Sequence, residues 1–538
     1  MGLLLPLPQG TKAADTLFVK DVLVPVLLER EDNEVLDLRI VPSDEKNPST
    51  LTSITLSLEE GTAISAIKSI KLYYGGTEAR TYFDGTQFRP VEYMQTLRAN
   101  PSHSILKSEI LRPASSEITF HLSDRLFPGA NFYWVSVQMD SGKASLLDKL
   151  YLSVKGATLS GADIPVQSTF DAPPAHRMGV GVRHAGDDGV TAYRIPGLVT
   201  SNDGTLVAVY DIRHNSSKDL QEYIDIGVSR SEDGGKTWGP MITAIAFGQF
   251  GGLPASQNGA GDPAILVDEN TGDLIIGCIW AHGMGNKASW WSTVPGMDPQ
   301  YTAQFVTSRS KDDGKTWSTP VSISPQIKDP SWAFYFNGPG RGITTSDGTL
   351  VFASQYTEFD KGRTPHAGII YSRDHGFTWE RHMAAKDSTT EAQVAELSDG
   401  TLMLNMRDNR GGARSIATTS DFGRTWKEHP TSRKALRESV CMASLLGVKA
   451  KDNSLGRHLL LFSNPDTTKG RNHITIKASL DDGNTWDTGN QVMLDEREGW
   501  GYSCLTMVDR DNVGILYESS VCHMCFQVVP LSDLIRKK

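Results

Sequence analysis

The sequence predicts an all-β protein in which a smaller antiparallel β-sandwich precedes a six-bladed β-propeller. An eight-residue pattern, Ser/Thr-x-Asp-x-Gly-x-Thr-Trp, occurs five times, and the tetrapeptide Asp-Gly-Thr-Leu occurs three times. Before residue 157 both patterns are absent, and apolar residues instead alternate with polar ones. We call the eight-residue pattern the Asp box, and its copies cover residues 231–238, 310–317, 372–379, 419–426 and 479–486.

Each Asp box is expected to form a tight hairpin. Asp bonds backbone N–H groups two residues on, and Gly supplies a positive φ at the tip. Thr then returns the chain to a strand, and Trp buries a large apolar surface between neighbouring sheets. With the Asp-Gly-Thr-Leu turns, one repeat contains four strands, and such units arranged radially form a propeller. Five boxes and one box-less sheet that closes the ring give six blades.

Residues 17–156 are predicted to form the sandwich. Period-two alternation covers residues 54–58, 118–122 and 133–139, with Pro-Gly and Gly-Gly turns between strands. The aromatic stretches at 72–76 and 132–134 either belong to the core or form a surface that stacks on sugar rings. Residues 157–177, rich in Gly, Ala, Pro and Ser, are expected to be a linker, and residues 178–538 the propeller domain.

Composition restricts the partners of the chain. A net charge of −10 argues against a nucleic-acid partner, and no apolar run is long enough to span a membrane. The apolar stretch at residues 2–8 is short and lacks the basic lead-in of a signal peptide. The pair Cys522 and Cys525 has no second pair at zinc-ligand spacing, so we expect buried thiols, no metal and no cofactor. The sequence gives no indication of the oligomeric state.

Three arginines lie where a structural role is hard to assign. Arg194 interrupts an apolar strand before a proline, and Arg407 and Arg471 lie in similar positions. A charge in such a place must be paired or must face a cavity. The inner strands of a propeller converge on its axis, so the three guanidinium groups can meet there. Together they would hold a small organic anion through bidentate contacts.

These residues resemble a known family. The Arg-Ile-Pro strand at 194–196, the repeated Asp boxes and the later arginines are similar to the bacterial sialidases (exo-α-neuraminidases), from about Val180 to Gln527. The part before the propeller is similar to the extra domain of Bacteroides-type sialidases, which implies carbohydrate binding. The resemblance implies that Arg194, Arg407 and Arg471 grip the carboxylate of sialic acid. It further implies a retaining exo-α-sialidase that acts on sialylated glycans and is secreted or periplasmic.

The resemblance also implies the catalytic residues. A carboxylate nucleophile would be repelled by the substrate's own carboxylate, whereas a neutral tyrosine with a nearby base would not. Tyr502 is the candidate nucleophile, and Glu391, in Glu-x-Gln-Val, is its base; the alternatives are a core tyrosine and a strand-end ion pair. Asp219, in a polar loop between two strands, is the expected acid, and Asp211 is the second choice.

Further residues are expected to line the pocket. Asp262 precedes an inner strand and can accept a hydrogen bond from the N-acetyl nitrogen of the sugar. Arg213 is placed to orient the substrate or Asp219, and Arg341 and Gln355 open or line a central strand.

Three other functions fit parts of the pattern. A sialic acid lectin would need the arginines but not Tyr502, Glu391 and Asp219. A transferase would pass the sugar to an acceptor or to an internal hydroxyl. A propeller that binds unrelated proteins would need only the Asp boxes.

Overall fold

The computed structural model describes residues 15–44, 46–47, 49–77 and 104–536. Two compact units divide the chain between Met178 and Gly179. Strands account for most of the regular structure in both units, so the all-β prediction is confirmed. No helix within these ranges has the length and apolar character that crossing a bilayer requires.

Two sheets form the smaller unit, as expected for a sandwich. Their strand orders are β12-β1-β3-β8-β5-β6 and β11-β10-β4-β7. The predicted alternation is visible in β4, where Ile54, Leu56 and Leu58 are buried. The strands are β1 (Thr16–Asp21), β2 (Val26–Leu27), β3 (Asn33–Val41), β4 (Thr50–Leu58), β5 (Ile67–Gly76), β6 (Ile105–Leu111), β7 (Glu117–Arg125), β8 (Asn131–Met139), β9 (Lys149–Leu150), β10 (Leu152–Leu159), β11 (Ala162–Ile164) and β12 (Val166–Ser168).

Aromatic residues of this unit belong mainly to its core. Tyr73 and Trp134 are buried, and their rings stack with centroids 4.2 Å apart. The Tyr73 hydroxyl donates to Asp32 at 3.0 Å. Tyr74 is half-buried. The core interpretation therefore fits Tyr73 and Trp134, which are not available to stack on a sugar.

The prediction of a linker at residues 157–177 is wrong over its first half. β11 pairs with β10, and β12 pairs in parallel with β1, so residues 157–168 belong to the sheets of the smaller unit. These short strands are polar and carry no apolar period from which they could have been recognised. Backbone pairing orders them instead, because each N–H and C=O group needs a partner.

Six sheets make the blades of the larger unit within the described residues. In chain order they are β14-β15-β16-β17, then β18 to β21 with β23, then β22 with β24 to β28, then β29-β30-β32-β33, then β35-β36-β37-β38, and last β13-β41-β40-β39. The sixth sheet has no Asp box and is closed by β13 from the start of the unit, as predicted. Neighbouring first strands such as β14 and β18, and β35 and β39, contact one another around the axis.

The strands of this unit are β13 (His176–Arg183), β14 (Ala192–Thr200), β15 (Leu206–Arg213), β16 (Ile224–Ser231), β17 (Ile242–Ile245), β18 (Ala260–Val267), β19 (Leu274–Trp280), β20 (Gln304–Ser310), β21 (Val321–Ser322), β22 (Trp332–Asn337), β23 (Gly340–Arg341), β24 (Ile343–Thr344), β25 (Leu350–Glu358), β26 (Thr364–Ser372), β27 (Glu380–Arg381), β28 (Lys386–Asp387), β29 (Thr389–Glu396), β30 (Leu402–Asp408), β31 (Gly412–Ala413), β32 (Ser415–Thr419), β33 (Lys427–Glu428), β34 (Arg437–Glu438), β35 (Ser444–Val448), β36 (Leu459–Pro465), β37 (Ile474–Ser479), β38 (Gln491–Asp495), β39 (Ser503–Met507), β40 (Asn512–Tyr517) and β41 (Met524–Pro530). β31 pairs with β34 beside the blades. The short helices are α1 (Ser289–Ser292), α2 (Ser324–Ile327) and α3 (Leu531–Leu534). Single 3-10 turns cover Ile64–Ala66, Asp187–Gly189, Ala255–Gln257, Met284–Asn286, Phe359–Lys361 and Ala450–Asp452.

The Asp boxes form the expected hairpins with one difference. In the first box, Asp233 accepts hydrogen bonds from the backbone N–H and the hydroxyl of Thr237, at 2.9 and 2.6 Å. The bonded residue is thus four positions on, not two, because positive φ values at Gly234 and Gly235 curl the chain back to the carboxylate. Trp238 packs edge-on against the ring of Phe526 in the neighbouring sixth blade, as predicted for a residue between sheets.

Candidate active site

β-Bulges direct polar side chains toward the axis at the start of three inner strands. The strand register shifts at or beside Arg194 in β14, Asp262 in β18 and Glu391 in β29. Asp262 and Ile195, which follows Arg194, have φ values of 56° and 63°. A positive φ is rare for a β-branched residue such as Ile195. Bulges re-aim side chains at the rims of sheets, and here they bring three charged groups to one end of the propeller.

Tyr502, Glu391 and Arg407 form one hydrogen-bonded group. The Tyr502 hydroxyl donates to Glu391 at 2.5 Å, and Arg407 donates to Glu391 at 2.6 Å and to the Tyr502 oxygen at 3.0 Å. Burial and the nearby carboxylate of Glu391 raise the pKa of Tyr502 well above its usual value. The phenol is therefore neutral in the resting protein, with an acceptor for its proton already in contact.

Glu518 holds Arg194 and Tyr502 in place, although it was not among the residues predicted from the sequence. One carboxylate oxygen accepts from Arg194 Nε at 2.9 Å and from the N–H of Ile195 at 3.0 Å. The other accepts from Arg194 Nη2 at 3.1 Å and from the N–H of Tyr502 at 3.0 Å. Glu518 is almost fully buried and ends the apolar run of β40. Arg194 was identified as a charge inside an apolar strand, whereas Glu518 directly follows the apolar strand β40, so a charge next to an apolar run is the signal that could have found it.

Arg471 lies beside the same tyrosine ring. Its guanidinium carbon is 5.4 Å from the Tyr502 ring centroid, and Nη1 donates to the carbonyl of Trp500 at 2.9 Å. The guanidinium of Arg194 lies over the rings of both Trp500 and Tyr502, at 4.7 and 5.3 Å. The structure thus brings Arg194, Arg407 and Arg471 around Tyr502, as expected for an anion site.

The loop residue Asp219 is 82% exposed and meets two of the arginines. Arg213 donates to Asp219 at 2.8 Å, and Arg194 lies 3.9 Å away. Although partial burial acts in the opposite direction, these guanidinium groups lower the pKa of Asp219. An exposed carboxyl on a loop at the rim can reach an atom of a ligand, which is the requirement for an acid.

Asp211 and Arg213 form a buried support beneath this loop. Arg213 donates to Asp211 through Nε at 3.0 Å and Nη2 at 2.9 Å, and both side chains are 1% exposed. Burial raises the pKa of Asp211 to about 6, against the opposing effect of Arg213. Asp211 also accepts the N–H of Asp262 at 2.9 Å. Its burial makes Asp211 a poor candidate for the acid, so the geometry favours Asp219.

Asp262 is a carboxyl whose charge is disfavoured. Burial, together with the carboxylates of Asp211, Asp219 and Glu391, raises its pKa well above the usual value. A neutral carboxyl of this kind can donate a hydrogen bond to a neutral polar group of a ligand or accept one from it.

Arg341 and Gln355 are not brought into this cluster. Arg341 donates to the carbonyl of Leu505 at 3.1 Å, further along β39 than Tyr502. Gln355 is buried in β25 and donates to the carbonyl of Asn337 at 3.2 Å. Both residues are thus bonded to backbone carbonyls, and no hydrogen bond within the described residues joins either of them to Tyr502, Glu391 or Arg407.

No group of three or more His, Cys, Asp or Glu residues within the described ranges is arranged to hold a metal. All five cysteines, including Cys522 and Cys525, are buried free thiols, as expected. The site therefore presents four guanidinium groups, one phenol and five carboxyls, those of Asp211, Asp219, Asp262, Glu391 and Glu518. This set can bind an organic anion and move protons.

Comparisons with known proteins agree with this description. Residues 14–163 match the family model of the N-terminal domain of BNR-repeat neuraminidase, and residues 204–515 match that of the BNR repeat-like domain. The chain is 56% identical over 531 residues to a sialidase of Bacteroides fragilis, covering 98% of this chain and 96% of the relative. A sialidase of Micromonospora viridifaciens is 33% identical over 62% of this chain and 50% of its own length. The solved structure of the Hadza microbial sialidase Hz136 superposes with a TM-score of 0.90 at 50% identity, covering 96% of this chain and all of that one.

Proposed function

Since the chain belongs to the family of BNR-repeat sialidases and is a glycoside hydrolase of the exo-sialidase type, we propose that it releases terminal α-linked sialic acid with retention of configuration, through a covalent intermediate on Tyr502. The observation that carries the proposal is the hydrogen bond of 2.5 Å from the Tyr502 hydroxyl to Glu391. A phenol in contact with a carboxylate, inside a ring of arginines, is the arrangement that attack on an anionic sugar needs.

Arg194, Arg407 and Arg471 bind the carboxylate of the sugar. All three guanidinium groups lie against Tyr502, so a carboxylate that they hold puts the adjacent anomeric carbon near the phenol oxygen. Guanidinium groups keep their charge and match the geometry of a carboxylate. Glu518 fixes Arg194 before the substrate arrives, which reduces the ordering that binding would otherwise require.

Asp219 donates the proton to the leaving oxygen. In the free enzyme Arg213 and Arg194 keep its pKa low. A bound substrate carboxylate adds negative charge and partly neutralises Arg194, so it raises the pKa of Asp219 and favours the protonated acid. Substrate binding thereby prepares the group that the first step uses.

In the first step, the Tyr502 oxygen forms a bond to the anomeric carbon as the bond to the leaving oxygen breaks. Tyr502 gives its proton to Glu391, and Asp219 gives its proton to the leaving sugar. In the second step, Asp219 removes a proton from water, which attacks the anomeric carbon and releases Tyr502. Glu391 then returns the proton to the phenolate, so two inversions give net retention.

The test is the anomer of the first product. Proton NMR during hydrolysis of sialyllactose should show α-sialic acid first, followed by slow conversion to the β form. First appearance of the β-anomer would contradict the Tyr502 mechanism. Release by the wild type but not by Asp219→Ala would support Asp219 as the acid, whereas binding without release would favour a lectin.

Two broader assignments accompany this proposal. The sandwich unit is proposed to bind carbohydrate through a surface other than Tyr73 and Trp134. Calorimetry of sialyllactose with the Tyr502→Phe protein would test this, because two bound glycans per chain are expected and one would contradict it. Because sialylated glycans face the outside of cells, a secreted or periplasmic location is proposed, and fractionation of the source cells would test it.

A further inference from the structure

One segment between β22 and β24 of the third blade leaves that blade, pairs with the second and lies at the propeller axis. Residues 337–342, Asn-Gly-Pro-Gly-Arg-Gly, which we call the axial segment, include β23. Gly340 pairs in parallel with Ala264 of β18, and its carbonyl packs directly against Gly197 of β14. Arg341 donates to the carbonyl of Leu505 in β39 at 3.1 Å. The strands that β23 touches belong to the sixth, first and second blades, which are consecutive in the closed ring.

These contacts involve the strands that carry the site. β14 carries Arg194, β18 carries Asp262, and β39 follows Tyr502 directly. Asn337 also donates to the carbonyl of Asp262 at 2.7 Å. A single segment therefore contacts three of the strands whose ends converge at the site.

The axial segment contacts the strand of Glu391 through two further interactions. Gln393, two residues after Glu391 on β29, donates from its amide to the carbonyl of Pro339 at 2.5 Å. Gln393 is 1% exposed. Gly338 packs so closely against the backbone of Ala392 that a Cβ at that position would collide with the Ala392 carbonyl. Glu391 thus precedes two residues that are fixed against the axial segment.

The same segment supports the ring of Tyr502 through Met442. Tyr502 packs with Ile195, Cys441 and Met442 in one buried cluster. Gly340 has a φ of 107°, and a Cβ there would lie 2.7 Å from the terminal carbon of Met442. The nucleophile and its base therefore rest on the same six residues, Tyr502 through Met442 and Glu391 through Gln393.

We propose that the axial segment positions the pair Tyr502 and Glu391, and that Gln393 is a positioning residue for the reaction. The proposal rests on the proposed roles of Tyr502 and Glu391. Gln393 acts through β29, since its amide is bonded to the carbonyls of Pro339 and Ala392. Losing the bond to Pro339 would let Glu391 move relative to the phenol. Displacements of about 1 Å in a reacting group cost on the order of 100-fold in rate.

The test is the steady-state kinetics of Gln393→Met on sialyllactose. Methionine keeps the volume but cannot donate to Pro339, so kcat should fall about 10- to 100-fold while KM stays within about twofold. The control is Gln304→Met. Gln304 is equally buried and donates to the carbonyls of Met297 and Thr302 at 3.2 and 2.9 Å, but it lies in the third strand of its blade. Gln304→Met should keep the kcat of the wild type.

A second pair of variants tests the same proposal if Gln393→Met does not fold. Gly340→Ala pushes Met442 toward Tyr502 and should show the same fall in kcat at nearly constant KM. Gly400→Ala is its control, because Gly400 also has a positive φ, of 84°, but open space where the Cβ would be. Equal losses in a variant and its control, or a wild-type kcat in Gln393→Met, would overturn the positioning proposal.

Tyr502→Phe assayed in parallel separates the two proposals. An inactive Tyr502→Phe with a normal Gln393→Met would overturn only the positioning role. Normal turnover by Tyr502→Phe would overturn the proposed mechanism itself, whatever Gln393→Met does.

Discussion

Replacing Glu518 by Gln should damage the site although the side chain keeps its shape. Each carboxylate oxygen of Glu518 accepts one N–H from Arg194 and one backbone N–H, from Ile195 or Tyr502. In Gln one of the two oxygens becomes an NH2 group, which cannot accept. Whichever way the amide is turned, one N–H of Arg194 and one backbone N–H then face a donor.

The expected cost follows from that geometry. Leaving a buried donor unsatisfied costs about 1–3 kcal/mol, so two donors cost roughly 2–6 kcal/mol. Breaking a buried charge pair costs about 3–5 kcal/mol, which falls in the same range. We expect the free energy of unfolding to fall by about 3–5 kcal/mol. KM should rise about tenfold or more, because a charge-assisted hydrogen bond that orients Arg194 is worth about 1.5–3 kcal/mol.

The assay is urea unfolding followed by tryptophan fluorescence, together with KM for sialyllactose. Glu396→Gln is the matched control. Glu396 also ends a strand, and Lys449 Nζ lies 4.0 Å from its carboxylate. The Ser346 N–H contacts both oxygens, at 3.0 and 2.9 Å, and the oxygen at 2.9 Å also accepts the Ser346 hydroxyl at 2.8 Å. Gln can keep that oxygen, so the control should lose under about 1 kcal/mol. Equal stability losses in the two variants, or an unchanged KM in Glu518→Gln, would contradict the role of Glu518 in holding Arg194.

Three further predictions concern the reaction. Tyr502→Phe should lower turnover at least about a thousandfold, while calorimetry should show a Kd for sialic acid within about twofold of the wild type; near-normal turnover would exclude Tyr502 as the nucleophile. Arg407→Lys should raise KM about tenfold or more, because Lys cannot reproduce the planar fork; an unchanged KM would remove Arg407 from the carboxylate site. The first step needs protonated Asp219. Arg213 and Arg194 lower the pKa of Asp219 in the free enzyme, whereas the bound substrate carboxylate raises it. As the pH rises, kcat/KM, which depends on the free enzyme, should therefore fall before kcat, which depends on the complex. A pH–rate profile in which the two limbs coincide would contradict that coupling.

Much of the fold was predictable because its signals are local and repeated. The Asp box combines turn and strand residues within eight positions, so five copies predict blades without any long-range information. The polar strands β11 and β12 could not be predicted, since they contain only three residues each and are ordered by backbone pairing. β11 pairs with the preceding strand β10, and β12 pairs with β1, which is distant in sequence. The hydrogen bond from Thr237 to Asp233 four positions earlier also depends on backbone conformation, which the residue types alone do not specify.

The candidate site was predictable where a charge conflicts with its local surroundings. Arg194 stands out in an apolar strand, and the structure brings it to Tyr502 and Glu518. Arg341 and Gln355 were expected to line the pocket, and within the part of the chain that the structure describes neither is bonded to its residues. A strand pattern indicates which face a residue occupies but not how far along the axis it lies, and both residues donate to backbone carbonyls instead.

The pair formed by Tyr502 and Glu391 carries the proposed reaction, and trapping of the covalent intermediate would identify the nucleophile. A sialosyl donor with fluorine at C3 and a good leaving group at C2 slows breakdown of the intermediate more than its formation. Mass spectrometry of the digested protein should then show the sugar on the peptide that contains Tyr502, and no such adduct in Tyr502→Phe. An adduct on Glu391 or another residue, or turnover of the donor with no adduct on Tyr502, would contradict the mechanism.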